Sequence, residues 1–187
     1  MGCPTSRRIC EKWEFKMPPL CKLSVVTLVS ILVCTSVNSS AADPWIVRYD
    51  GVGPVKIGMT LAQLSAALHQ QLAPDELDEH SCFYIDAHGH NRVGFMIIDG
   101  KVARVDVGAS GLRTAAGIQV GDSEVHARQV YGASMKVTPH TYIDDGHYLT
   151  VRSSDGQFGV RFETEKGKIV GYYAGTYEAI QYVEGCS

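Results

Sequence analysis

Long apolar runs are scarce in this 187-residue chain. The longest, Leu23 to Val37, has about 15 residues against the roughly 20 that a spanning helix needs, which excludes a comfortable membrane span. Basic charge is also in short supply, with 17 Lys and Arg against 20 Asp and Glu. That balance argues against nucleic acid or an anionic membrane as the main partner. No Gly-rich phosphate loop, metal-ligand motif or nucleophile with an evident base is present, so no motif names a reaction. Linkers rich in Pro, Gly or Ser and low-complexity tracts are missing too, which argues for closely packed parts rather than strung domains.

What is present speaks first of location. Lys22 precedes the apolar run and Asn38-Ser39-Ser40-Ala41-Ala42-Asp43-Pro44 follows it, the layout of a secretory signal peptide. Small residues at Ser40 and Ala42 place the cut after Ala42, giving a signal of residues 1–42 and a mature domain of residues 43–187. A chain begun at Met17 would have a leader of ordinary length, which makes Met17 a candidate start. Removing the leader leaves about 12 basic and 18 acidic residues, a net charge of about minus six. A periplasmic or secreted protein is expected.

Of the six cysteines, only Cys82 and Cys186 lie beyond the leader, and two cysteines in an exported domain suggest one disulfide. Closing a loop of that length would restrict the unfolded chain by roughly 4 to 5 kcal/mol in the loop-entropy model. Cys34 follows an apolar run as a lipid acceptor would, but Val33 stands where such a signal wants Gly, Ala or Ser, and this disfavours lipidation.

The mature region carries one pattern twice. Val55-Lys56-Ile57-Gly58-Met59-Thr60 opens an apolar-periodic run, and Ile118-Gln119-Val120-Gly121-Asp122-Ser123 opens another. In the first, Thr60 and Gln63 have capping-box spacing, and Leu61, Leu64, Leu68 and Leu72 form one helical stripe. In the second, Asp122 or Ser123 caps, Ala127, Val130 and Tyr131 fall in the places of Leu64, Ala67 and Leu68, and Gly132 supplies the stop. Alternating strands follow in both, Val93 to Ile97 matching Phe158 to Phe162. Asp99-Gly100-Lys101 and Lys166-Gly167-Lys168 then place glycine where a tight hairpin needs positive φ. Val102 to Val107 and Ile169 to Ala174 continue the units, while Phe83 to Ile85 and Tyr148 to Val151 precede them. Trp45 to Tyr49 and Ile180 to Glu184 read as extra edge strands, and the acidic run 75–79 as a solvated loop. The expected fold is α+β: two tandem helix-plus-antiparallel-sheet repeats, about 53–112 and 115–178, with helices on one face of the sheet.

The motif Ile/Val-x-Ile/Val-Gly-x-Thr/Ser, leading into a helix and then antiparallel strands, resembles the repeat of the β-lactamase inhibitory proteins and of the small lipoprotein of the outer-membrane β-barrel assembly machine. The likeness covers about 130 residues, counting both copies. It implies a protein-binding rather than catalytic role, and no contact residues transfer because the binding strands and loops do not match. The whole chain, ending Tyr182-Val183-Glu184-Gly185-Cys186, is also similar to exported bacterial proteins of unassigned function.

Two-residue parity assigns the strand faces. Val93, Phe95, Ile97, Phe158, Val160, Phe162, Leu149 and Val151 are assigned to the core. The helix-free face then carries Tyr84, Met96, Ile98, Arg104, Asp106, Tyr148, Arg152, Arg161 and Tyr173, a mixture rich in Tyr and Arg that suits a protein-binding surface. An antiparallel sheet with one wet face, rich in Tyr and Ile by strand preference alone, is the plainer account.

Enzyme readings rest on less. His80, His88 and His90 are the best metal candidates but lack the fixed geometry a zinc site needs. His140 and His147 read as loop residues. Ser123 reads as a cap, and Asp86, Asp144, Asp145 and Asp155 beside glycines read as turn residues. No catalytic residue and no cofactor is expected. The leading expectation is an exported protein-binding module, inhibitor-like or immunity-like, with another protein as partner and no membrane span in the mature chain. A small periplasmic hydrolase or metal-binding protein is the alternative, and a cell-envelope assembly accessory is the second.

Overall fold

In the computed structural model, which describes residues 45–72, 82–89 and 93–186, the first helix opens on its capping box. The Thr60 side chain accepts from Gln63 N at 3.4 Å, and Thr60 N donates to Gln63 Oε1 at 2.9 Å, so two orphan donors of the helix start are satisfied. This helix, α1 (Leu61–Leu68), ends where His69 adopts φ 51. Leu64 is buried, and Leu61, Leu68 and Leu72 pack partly buried against the same core. The second helix, α2 (Glu124–Tyr131), is capped by Ser123, whose side chain accepts from His126 N at 3.1 Å, and it stops at Gly132. Ala127 is buried and Tyr131 packs on the core, whereas Val130 is exposed, so the expected inward place for Val130 is corrected.

Strands dominate. The short β1 (Ile46–Arg48), β2 (Gly51–Val52), β3 (Val55–Lys56) and β7 (Arg113–Thr114) form a small sheet in the order β3-β2-β1-β7. The segment around Trp45 to Tyr49 is thus a strand, but not an edge of the main sheet. That main sheet has seven strands: β4 (Cys82–Asp86), β5 (Val93–Ile98), β6 (Lys101–Val107), β8 (Met135–Pro139), β9 (His147–Arg152), β10 (Phe158–Glu165) and β11 (Lys168–Thr176). Its order is β4-β5-β6-β11-β10-β9-β8, antiparallel throughout. Strand β8 was not expected from the sequence. The segment from Ile180 was expected to be a strand and is not: residues Ala179–Gln181 form a 3₁₀ turn.

Two hairpins have the same construction. Asp99 and Gly100 have φ 49 and 72, and Lys166 and Gly167 have φ 49 and 71, the double positive-φ turn that matches strand twist. Each hairpin has one register shift near its turn, between Met96 and Ile97 in one and between Glu163 and Thr164 in the other. Each also receives the loop before a helix through a pair of bonds. Gly58 N donates to Val102 O and Val102 N to Met59 O, while Gly121 N donates to Ile169 O and Ile169 N to Asp122 O.

The hairpins join at the β6–β11 seam, where Val105, Asp106 and Val107 lie opposite Ala174, Tyr173 and Tyr172. One side of the main sheet supplies the core. Phe95, Ile97, Val105, Leu149, Phe162 and Tyr172 cluster there with Leu64 of α1, Ala127 of α2 and Val47 of the small sheet. Among the described residues, no helix is long and apolar enough to cross a membrane.

Candidate functional site

The other side of the main sheet holds the residues that parity grouped, and it is not open. Met96, Arg104, Tyr148, Arg161 and Tyr173 are all buried, Met96 completely and Arg104 to within 3%. The cover is the chain's own C-terminal segment, which leaves β11, crosses the face and ends at a disulfide between Cys186 and Cys82 of β4. The expected pairing is present, with Cα atoms 5.3 Å apart. Because these side chains lie beneath a further element, the expectation of an open helix-free face is corrected.

Two arginines hold this strap. All five N–H groups of Arg104 are used: Nε donates to Asp106 Oδ1 at 2.6 Å, and Nη2 to Asp106 Oδ2 at 2.8 Å and to Tyr84 Oη at 2.7 Å. Its Nη1 donates to the carbonyls of Ala179 and Tyr182, both at 2.9 Å. Arg161 donates from Nη1 to the carbonyls of Ile180 and Gln181 at 3.1 and 3.3 Å, and from Nε to Thr150 Oγ1 at 3.1 Å. Four consecutive carbonyls, Ala179 to Tyr182, thus face two guanidinium groups, and that of Ala179 also accepts from Tyr182 N at 3.3 Å. Burial works against the charge of Arg104, but the bond and field of Asp106 outweigh it and the net shift is upward.

Aromatic rings alternate with these cations. Arg104 lies 4.4 Å over the Tyr173 ring centre and Arg161 lies 4.3 Å over that of Tyr148, distances at which a desolvated cation gains from the ring quadrupole. His140 stacks on Tyr148 with centroids 4.4 Å apart. Tyr173 donates to Glu163 Oε1 at 3.1 Å, and burial first, then Glu163, pushes its hydroxyl strongly up. Burial likewise pushes Tyr84 up to about 12, with Asp106 adding and Arg104 opposing. The Tyr84 and Tyr173 hydroxyls are thus held neutral.

Packing completes the closure. A Cβ on Gly159 would stand 2.6 Å from Ile180 Cδ1, so the missing side chain leaves the dent into which Ile180, wholly buried, fits. Ala179 joins Met96 and Ala103 in a small second cluster, against which Ile98, Cys82 and Cys186 pack.

The remaining expected residues fall at the margin. Arg152 is exposed, with its guanidinium 4.0 Å over Tyr177 and Nε donating to Gly156 O at 2.8 Å. Tyr84 is 40% exposed at the strap's end. Sequence reasoning missed the surface the strap itself presents: Tyr142, Tyr182 and Val183 are exposed there, with Tyr142 Oη bonded to Glu184. Cys82 could have revealed this. It lies two residues before Tyr84 on the same strand and hence on the same face, so a bridge to Cys186 had to bring the tail across that face.

Of the metal candidates, His88 is exposed and its backbone N donates to Gln70 Oε1 at 3.0 Å. His80 and His90 lie outside the described residues, as do Met17, Cys34, the expected leader of residues 1–42 and the acidic run. Asp155 accepts from Ser153 Oγ and Gln157 N, an ordinary turn. His147 is not merely a loop residue: its Nδ1 lies 3.0 Å from Glu124 Oε2. No protein-family model, curated protein or solved structure matches the chain.

Proposed function

We propose that this chain is an exported protein-binding module, inhibitor-like or immunity-like, with no reaction of its own, built on a duplicated α+β scaffold. Duplication is supported by the two hairpins with matching turns and matching register shifts, and by the same bond pair from each helix-leading loop. The seam adds to it. Asp106 opposite Tyr173 would be a local two-fold centre, with Val105 facing Ala174 as Val107 faces Tyr172. In this reading the helices of both units cover one sheet face, as the resemblance to β-lactamase inhibitory proteins implies.

The observation that carries the binding reading is the outer surface of the strap. Tyr84, Tyr142, Tyr182 and Val183 are exposed around residues 182–185, and the segment beneath them is fixed by two buried arginines and a disulfide. Rigid exposed tyrosines present large contact area at small entropic cost and are enriched in binding hot spots. The partner is another protein, met in the periplasm or outside the cell.

Affinity capture with the purified protein, repeated with Tyr142→Ala/Tyr182→Ala, tests the surface. The reading expects a captured partner whose binding falls at least about tenfold in the double variant, a loss of about 1.4 kcal/mol. A partner retained at full affinity would remove this surface. Intact mass of the protein recovered from the host envelope tests export, with cleavage after Ala42 expected.

A further inference from the structure

A cavity of about 510 Å³ opens between the small sheet, α2 and the end of the main sheet. It lies on the core side, away from the strap, and its volume falls in the usual range of small-molecule sites. Its floor is Val47, Val160 and Ala174, buried residues of the two sheets. Aromatic walls come from Phe158 and Tyr131. Such a surface favours a flat apolar body.

Hydrogen-bond arithmetic adds a donor. Tyr131 Oη donates to Thr114 Oγ1 at 3.2 Å, and Ile118 N donates to the same oxygen at 3.1 Å. The two hydroxyls own two hydrogens and only one is used between them. Thr114 is 5% exposed and lines the cavity with Tyr131, so the spare hydrogen belongs to a buried pair in the cavity wall, where an acceptor on a ligand would be well placed. Burial pushes Tyr131 up to about 12, which keeps this pair protonated.

Charge at the mouth has a sign. Asp50, Asp155 and Arg48 line it, but Arg48 is engaged by Asp50 at 3.5 Å and by the Gly53 carbonyl at 3.0 Å. One carboxylate is left in excess. We propose that this cavity binds a small arylalkylamine, its ring on the apolar floor, a hydroxyl or other acceptor toward Thr114 and Tyr131, and its ammonium at Asp50 and Asp155.

Tyramine is the probe, titrated into the purified protein by calorimetry and by amide chemical shifts. 3-(4-Hydroxyphenyl)propionate keeps the ring and phenol but reverses the charge, and it should bind at least about tenfold more weakly, a difference of about 1.4 kcal/mol. Ala115→Trp, at an exposed lining position, should abolish binding by filling the cavity. Asp50→Asn should weaken the amine several-fold and leave the acid unchanged or tighter. Absence of saturable tyramine binding at millimolar concentration would overturn the proposal. So would equal affinity for the acid, shifts mapping elsewhere, or indifference to both substitutions. Because Asp50 is at the surface, its variant keeps the test decisive if Ala115→Trp fails to fold. The strap surface plays no part, so this test and the capture experiment fail independently.

Discussion

Arg104 Nη1 donates to the Ala179 carbonyl at 2.9 Å, joining the middle of one strand to a turn 75 positions further along the chain. The bond belongs to a fully satisfied guanidinium, and removing that group would take a partner from Asp106, from Tyr84 and from the Ala179 and Tyr182 carbonyls at once. Arg104→Ala should therefore cost about 3 to 5 kcal/mol, as expected for breaking a buried charge pair. Urea denaturation gives the loss. Limited proteolysis should also cut near residues 181–184 before global unfolding, and an unchanged cleavage pattern would show that the strap does not depend on Arg104.

The disulfide acts on the same strap from its other end. Cys82 and Cys186 are 104 positions apart, so the double variant Cys82→Ser/Cys186→Ser should lose roughly 4 to 5 kcal/mol in the loop-entropy model. Ala179 and Ile180 remain docked through the arginines, so the local effect should be graded. Hydrogen exchange is expected to quicken most around residues 183–186 and least at Ala179, whose amide donates to Thr176 Oγ1 at 3.1 Å.

Glycines on β11 should differ sharply. A Cβ on Gly175 would lie 2.3 Å from the Ala103 carbonyl and 2.8 Å from Arg104 Cα, both backbone, whereas one on Gly171 would lie 3.6 Å from Val107 O. Gly175→Ala should cost about 1 to 3 kcal/mol through forced backbone movement. Gly171→Ala should be nearly neutral by thermal melting. Equal effects would show that the seam yields more readily than the packing implies.

Local signals carried much of this fold. Thr60 and Gln63 specified a cap, Asp99-Gly100 and Lys166-Gly167 specified turns, and parity sorted Phe95 from Met96, because each depends on residues close in sequence. Strand β8 escaped because Met135 to Thr138 alternates over only four residues and then meets Pro139, which reads as a strand breaker. The site was half legible. Parity gathered Arg104, Arg161, Tyr148 and Tyr173 on one face but says nothing about what covers a face. Ile180 to Glu184 alternates like a strand, yet the carbonyls of Ala179 to Tyr182 find guanidinium donors rather than a neighbouring strand. That is a tertiary fact no window of sequence contains.

Glu124 offers the clearest dependence on pH. It is the first residue of α2 and only 7% exposed. Arg128 donates to its Oε1, from Nε at 2.9 Å and also from Nη2, while Thr164 Oγ1 and His147 Nδ1 each lie 3.0 Å from its Oε2. The carboxylate thus ties α2 to β9 and β10. Burial by itself would raise its pKa, but the bonds from Arg128, Thr164 and His147 outweigh that and hold it below the ordinary 4.5. A carboxyl with a depressed folded value contributes stability above the unfolded value, and that contribution is lost as pH falls through the folded value. Glu124→Gln should therefore lose about 1.5 to 3 kcal/mol at pH 7, the range for hydrogen bonds to a charged group. The gap between variant and parent should narrow below about pH 4.5 and close once the parent's carboxyl is protonated. Melting temperatures of both proteins from pH 7 to pH 3 check the sign. A gap that stays constant across the range would mean that Glu124 acts through packing and not through its charge.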